Sequence, residues 1–306
     1  MHMTRWATKI TDLVRYVMHL DRRLDEIKIS QGAMLALLNR SKHSTELCDY
    51  EFKVFSQWGE DGILQHLIDT LEIKNHTFVE FGVEDFFESN CRFVLMNNGW
   101  HGFVIDGSAR NIARLRRSYF YWRYPLDCRS AFVTKDNVNS LLQQSGFDRE
   151  LGILSVDVDG VDWHILKQLE EWRASVIVVE YNALFGAKRA VTVPYRGDFV
   201  RSNAHWSNLY YGASLAAFKM LLAERGYALV GVNSAGSNAF FVRRDLLRGD
   251  VRERNLSCFR EAAFREARDK SGKLLLRSAR SCAECVSSLP LIDIETGAQV
   301  TVADVL

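Results

Sequence analysis

Acidic and amide side chains recur in this 306-residue sequence wherever a short apolar run ends. Glu80 and Gly82 close the run Phe78–Phe81, and Asp106, Gly107 and Ser108 close Gly102–Ile105. Thr134 and Asp136 follow Ala131–Val133, Asp157, Asp159 and Asp162 stand at the end of Leu151–Val158, and Glu180 and Asn182 follow Val176–Val179. A single Asp in such a place commonly caps the helix that follows it. Five successive ends carrying carboxylates or amides describe an acidic pocket that needs a cation, a polyhydroxylated ligand, or both.

The elements that must position these groups are strands and crossover helices. Short apolar runs alternating with helical stretches predict a parallel sheet covered on both faces, with ligand-binding loops at the carboxyl ends of its strands. The stretch Thr77–Ser108 reads as strand Phe78–Phe81, a tight turn at Gly82, a helix over Ser89–Asn98 and strand Gly102–Ile105 ending in Asp106. An acid closing the second strand about 20 residues beyond a glycine turn is how α/β folds hold ribose hydroxyls, so this stretch reads as a cofactor half-site. Further on come a helix over Asn111–Arg117, a strand at Ala131–Val133, a helix over Asn137–Gln144, strands Leu151–Val158 and Val176–Val179, and a helix over Ala213–Arg225. Strands Ala228–Val232 and Ala239–Val242 flank the turn NSAGSN, which predicts an antiparallel pair at the sheet edge.

Composition bounds the reading. With 47% apolar and 25% charged residues the chain can bury a full core, and its net charge of +1 calls for neither nucleic acid nor an acidic membrane. No apolar run is long enough for a membrane span and no signal peptide is evident. Six scattered cysteines fit reduced thiols in a cytoplasmic protein, and the lone C-x-x-C at Cys282 and Cys285 cannot complete a tetrahedral zinc site.

Before the sheet, Met3, Trp6, Ile10, Leu13, Val17, Leu20, Leu24, Ile27, Gln31, Met34 and Leu38 recur at spacings of three and four. That is a coiled-coil seam, which predicts a homo-oligomer through a helix whose removal leaves the domain folded; the other reading is one amphipathic helix docked in cis. Phe55–Leu67 reads as an amphipathic helix capped by Ser56, in which Gln57 and Trp58 reach toward the site or stay at the surface. The tail is arginine-rich with helical spacing. Three regions result: an oligomerisation helix over 1–42, the main domain over 45–245 and a C-terminal helical extension over 246–306.

The motifs FSQWGEDGIL, FVEFGVEDFFESNCR, GFVIDGS, SVDVDGVDWHIL, VVEYNALFG, YYGASL and SNAFFV together resemble the FkbM-type branch of S-adenosylmethionine-dependent methyltransferases, over about Phe52–Arg244. The resemblance implies a Rossmann-like class I methyltransferase fold, with a seven-stranded, mainly parallel sheet and helices on both faces. It implies S-adenosylmethionine as cofactor and a sugar, polysaccharide precursor or other metabolite hydroxyl as acceptor. By it, Glu80 and Gly82 underlie the methionine part of the cofactor, Asp106 with Gly107 and Ser108 takes the ribose, and Thr134 and Asp136 flank the adenine. Gln57 and Asp157 complete the expected cofactor shell. The chain keeps only Gly82 of the family's two or three turn glycines.

DVDGVD followed by EYN is similar to the strand ends of metal-dependent sugar O-methyltransferases. That similarity implies Mg²⁺ or another divalent cation on Asp159, Glu180 and Asn182. The relatives' catalytic histidine corresponds to Asp162, leaving Asp162, His164 or His205 as the base; His205 lies in the loop NAHWSNLYY. Two other readings stand beside this one: a degenerate, non-catalytic domain displayed on a coiled coil, and a glycosyltransferase using Asp157-Val158-Asp159 as a D-x-D triplet.

Overall fold

The computed structural model describes residues 2–306, and the side chains of residues 1–15 and 17–19 lie outside that description. The chain opens with helix α1 (His2–Asn39), then α2 (Glu60–Thr70). The alternating part follows: β1 (Thr77–Phe81), α3 (Arg92–Asn98), β2 (His101–Asp106), α4 (Ala109–Leu115), α5 (Tyr119–Arg123), β3 (Leu126–Ser130), α6 (Val138–Gln143), β4 (Glu150–Val156), α7 (Asp162–Gln168) and β5 (Arg173–Glu180). After it come β6 (Val191–Thr192), α8 (Arg201–Ala204), α9 (Leu215–Glu224) and the hairpin β7 (Tyr227–Val232) and β8 (Asn238–Arg243). The chain ends with α10 (Ala279–Cys282), β9 (Pro290–Asp293) and β10 (Gln299–Thr301).

Seven strands form one sheet in the order β3-β2-β1-β4-β5-β8-β7, with β8 antiparallel to both its neighbours and the other pairings parallel. This is the Rossmann-like class I methyltransferase sheet expected from the sequence. Side chains alternate across it, as strand geometry requires. Val79, Phe81, Ile105, Leu154 and Val179 face a core closed by α6, α7 and α9, while Phe78, Val104, Ile153 and Val178 face one closed by α2 and α3. The central strands read as apolar runs because both their faces are covered.

Three elements differ from expectation. The third strand is Leu126–Ser130, and Ala131–Val133 is the loop beyond it. This edge strand buries Leu126 and Cys128 but exposes Asp127, so it carries no continuous apolar signal. The second helix begins at Glu60, because one carboxylate oxygen of Asp61 accepts the N–H groups of Val54, Phe55 and Ser56 at 2.7, 2.7 and 2.8 Å and bends that segment into a loop. The C-terminal region is not helical over 246–275. It is an extended strap pinned across the loops, with Ala263 N–H donating to Ala235 O at 2.8 Å and Arg268 N–H to Ser207 O at 3.1 Å. A small antiparallel sheet, β10-β9-β6, then returns the tail to the domain.

Helix α1 docks through Asp25, Ile29, Gly32, Ala36 and Asn39, the stripe beside the expected seam. Gly32 is needed there, since a Cβ would lie 2.6 Å from Val54 Cγ2 and 2.7 Å from Phe93. The seam residues Leu20, Leu24, Ile27, Met34 and Leu38 remain exposed by 37–64%; the earlier ones, Met3 to Val17, lie outside the described side chains. Among the described residues, no helix is long and apolar enough to cross a membrane.

Candidate active site

The ends of β1, β2 and β4 meet at Gly82. Its φ is +73°, and a Cβ there would lie 1.5 Å from the carbonyl oxygen of Asp157. Its N–H donates to Ile105 O at 2.9 Å, so this turn ties all three strand ends together. Two further residues of the same loop, Glu84 and Phe86, hold positive φ of 48° and 65° without being glycine. Such backbone strain persists only where the surroundings enforce it, and it concentrates at functional sites. Phe86 is fully buried against Phe78 and Phe120, so the bulk of this loop is turned into the core and away from the cleft.

Asp106, buried at the end of β2, accepts Ser108 N–H at 2.7 Å on one oxygen and Glu84 N–H at 2.9 Å on the other. Each oxygen keeps a lone pair for a ligand hydroxyl. In front of it lies a cleft of about 270 Å³ with Gly82, Glu84, Gly107 and Asp157 on its polar side and Phe132 and Phe199 on its apolar side. Burial, then the charges of Asp106, Asp85 and Asp159, raise the Glu84 carboxyl above its ordinary range.

Beside the cleft, Asp157, Asp159 and Glu180 converge, one carboxylate oxygen of each lying within 4.8 Å of the others. The register Val156↔Val179 brings the ends of β4 and β5 level, which sets Asp157 next to Glu180. Asp159 enters through a turn with φ +56°. Asp162 builds that turn, accepting Val158 N–H at 2.6 Å and Gly160 N–H at 3.0 Å, one on each oxygen. Burial first raises both Asp157 and Glu180 well above the ordinary carboxylate range, helped at Asp157 by the charges of Asp159 and Asp162 and at Glu180 by those of Asp157 and Asp159. Glu180 Oε2 is buried without a hydrogen-bond partner. An orphaned carboxylate oxygen in a low-dielectric place is costly unless a proton or cation meets it.

The other expected site residues have different places. Glu80 lies on the α3 side of β1, where strand alternation puts it, and takes Ser89 Oγ–H at 2.6 Å, Asn90 N–H at 2.9 Å and Cys91 N–H at 3.1 Å, so it anchors the chain entering α3 instead of lining the cleft. Asn182 is consumed as a clamp: its amide donates to Leu209 O and Tyr211 O, both at 3.0 Å, and its oxygen accepts Leu184 N–H at 3.0 Å. That leaves it outside the carboxylate cluster. Thr134 pairs with Asn137 at the start of α6 and Asp136 is exposed, so the loop wall beside Asp106 is Ala131–Val133. Asp162 is fully enclosed, and its two oxygens are committed to the turn they hold. His164 bonds Val193 O at 2.9 Å and packs against Tyr195. His205 bonds Ser207 Oγ at 2.7 Å, just beyond α8. Gln57 is exposed, while Gly107 and Ser108 line the cleft.

Glu84, Phe132, Phe199, Arg201 and Glu266 also belong to the site and were not read from the sequence. Arg201, on α8, donates from Nη1 to Asp159 Oδ1 at 2.6 Å, with Glu180 3.9 Å away, and from Nη2 to Glu266 of the strap. Glu84 stands two residues beyond Gly82 and was within reach of a strand-end reading; Arg201 lies in a segment with no periodicity to mark it, and Glu266 in a tail whose helical spacing points to no site. Among the described residues, the cysteines join no cluster of possible metal ligands.

No family model matches the chain, and no curated protein matches it. Among solved structures it is similar to the O-methyltransferase from Bacillus cereus in complex with SAH, at 11% identity over 70% of this chain and 88% of that one, with a TM-score of 0.39. It is also similar to the N-terminal domain of EvdMO1 in the presence of SAH and D-fucose, at 11% identity over 73% and 95%, TM-score 0.37. For the CurJ carbon methyltransferase the identity is 12% and the TM-score 0.36; the match covers 60% of this chain and spans about half of the other, 52%. The fold assignment stands on the strand order alone.

Proposed function

We propose that this chain is an S-adenosylmethionine-dependent O-methyltransferase acting on a hydroxyl of a sugar, a polysaccharide precursor or a related metabolite. The observation that carries the reading is Asp106, an enclosed carboxylate closing β2, facing a cleft that runs from the Gly82 turn to a second cluster of acids. The cofactor would lie against Gly82, Glu84, Asp106, Gly107 and Ser108, with Phe132 and Val133 flanking its base. It supplies a methyl group already activated on a sulfonium. The acids along the cleft suit a cationic ligand. Phe86, in the loop that follows the single turn glycine, is turned away from it.

The chain's own contribution is alignment and proton removal. Asp159 and Glu180 would hold the acceptor's hydroxyls beside the cleft. Asp157 and Glu180, raised by burial, accept a proton more readily than ordinary carboxylates, which suits them as base once one of them is ionised. Asp162 acts through Asp159 by holding its turn. Asp157, Asp159 and Glu180 also fit a divalent cation, being hard oxygen donors with one buried oxygen unpartnered, and such an ion would lower the pKa of a bound hydroxyl.

Calorimetric titration with S-adenosylmethionine and its demethylated product tests the reading. Micromolar binding is expected, with Asp106→Ala weakening it by about 100-fold or more, the worth of two charge-assisted hydrogen bonds. Unchanged affinity in Asp106→Ala removes the ribose assignment, and no binding by the wild type sinks the proposal.

The exposed seam on α1 supports self-association through that helix, since the docked stripe leaves Leu24, Ile27, Met34 and Leu38 uncovered. Ile27→Asp is expected to reduce the molar mass in light scattering to that of one chain. An unchanged mass would mean that the seam is not the contact.

A further inference from the structure

Asp157, Asp159, Glu180 and Glu266 are four acids around one fixed cation, Arg201. The guanidinium is built in. Its Nε donates to Asn208 O at 2.8 Å, and the Tyr211 ring lies beneath it at 3.5 Å. Nη2 is held by Glu266, onto which the Tyr211 hydroxyl also points at 3.4 Å. Only Nη1 reaches the cluster. Four non-glycine residues in the description hold positive φ, and two of them, Asp159 at 56° and Asn208 at 61°, are those that grip Arg201, one by its carboxylate and one by its carbonyl. The strain therefore serves the placement of this one side chain as much as the turn beneath the cofactor cleft.

The placement has a consequence for any ion in the cluster. A divalent cation on Asp157, Asp159 and Glu180 would share Asp159 with a guanidinium that cannot be deprotonated. The two charges repel across a gap that is buried on the Arg201 and Glu180 side and open to solvent at Asp159. Glu266 holds the other terminal nitrogen, Nη2, and balances the pull of Asp159 on Nη1.

We propose that Arg201 is the chain's own cation for the acidic cluster, competing there with a divalent metal ion, and that Glu266 is the positioning residue that sets how strongly it competes. This rests on the cation-binding reading of Asp157, Asp159 and Glu180 given above. Because Glu266 comes from the strap, the C-terminal region takes part in the site and is more than a cover over it.

The test is titration of the full chain with Mn²⁺, followed by the electron paramagnetic resonance signal of the free ion, with product-nucleoside binding measured on every variant as a check of the Asp106 cleft. Arg201→Gln is expected to bind Mn²⁺ about tenfold tighter than the wild type. Glu266→Gln is expected to bind it more weakly, because the released guanidinium turns to Asp159 and Glu180. In the double variant the Glu266 effect should vanish, since it acts through Arg201. Should Arg201→Gln fail to fold, Arg201→Lys keeps the charge while losing the fork that spans Asp159 and Glu266, and tighter Mn²⁺ binding than the wild type is expected there too.

Mn²⁺ affinity unchanged or lowered in Arg201→Gln overturns the competition. A Glu266→Gln deficit that persists in full in the double variant overturns the positioning role, leaving a plain loss of negative charge. Absence of Mn²⁺ binding even in Arg201→Gln, with nucleoside binding intact, overturns the proposal and the cation site while leaving the cofactor reading in place.

Discussion

An Asp25→Ala chain is expected to unfold about 3–5 kcal/mol more easily than the wild type, the cost of leaving a buried charge without its partner. The charge is that of Arg92, at the start of α3, only 2% exposed. Its Nη2 lies 2.5 Å from Asp25, its Nη1 donates to Phe87 O at 2.9 Å, and its Nε has no partner. The Phe55 and Phe120 rings lie over it at 4.1 and 4.3 Å. Tyr119 donates its hydroxyl to the same Asp25 at 2.6 Å. Remove the carboxylate and the rings remain, but their attraction for a cation is worth about 2 kcal/mol at most in such a place. Equilibrium denaturation checks the value, and Asp25→Ala with Arg92→Met should recover most of it, because the stranded charge is then gone. A loss below about 1 kcal/mol in the single variant would show that the pair does not hold α1 down. The same reasoning changes the expected outcome of deleting residues 1–40. Such a chain loses Asp25 and also uncovers the surface on which Ile29, Gly32 and Ala36 pack, so it should be destabilised and not merely released from an oligomer.

What could be read from the sequence followed from burial on both faces. Strands β1, β2, β4 and β5 announce themselves because each is apolar along nearly its whole length, and the acids after them fall at the carboxyl ends as the topology demands. Position at a strand end does not say which way a side chain turns. Glu80 precedes the end of β1 by one residue, so alternation sends it to α3; Asp106 has the same parity by register but lies one step beyond the last β1–β2 pair, where it opens on the cleft. Asp162 and Asn182 illustrate the other difficulty: a carboxylate or amide that shapes a binding turn looks the same in sequence as one that binds. The seam on α1 hid the docking stripe, since small and polar residues, Asp25, Gly32 and Asn39, make that contact. The tail looked helical because arginine, leucine and alanine are good helix formers. Its backbone N–H groups are instead spent on distant carbonyls such as Ala235 and Ser207. Arg201 and Glu266 acquire their roles only through contacts between far-separated segments.

Gly82→Ala is expected to remove cofactor binding and disturb the acidic cluster together. At this position the obstacle is backbone: the added Cβ would lie 1.5 Å from the Asp157 carbonyl oxygen, in a conformation with φ +73° that a side chain already disfavours. No rotamer relieves a clash between a Cβ and a carbonyl, so the end of β1 or of β4 must move by more than an ångström. Moving β4 carries the Asp157 carboxylate away from Glu180, and moving β1 strains the 2.9 Å bond from Gly82 N–H to Ile105 O that keeps Asp106 level with the turn. Left-handed strain and forced overpacking together should cost about 2–5 kcal/mol of stability. Gly107→Ala is the matching control. Its Cβ would meet only Phe132 at 3.6 Å, an ordinary contact, so fold and stability should be kept even where the added methyl crowds a bound nucleoside. Denaturation and calorimetric titration of both variants side by side distinguish the two positions. If Gly82→Ala kept both its stability and its affinity, the contact between β1 and β4 could not be what shapes the cleft, and the acids at the two strand ends would have to be treated as separate sites.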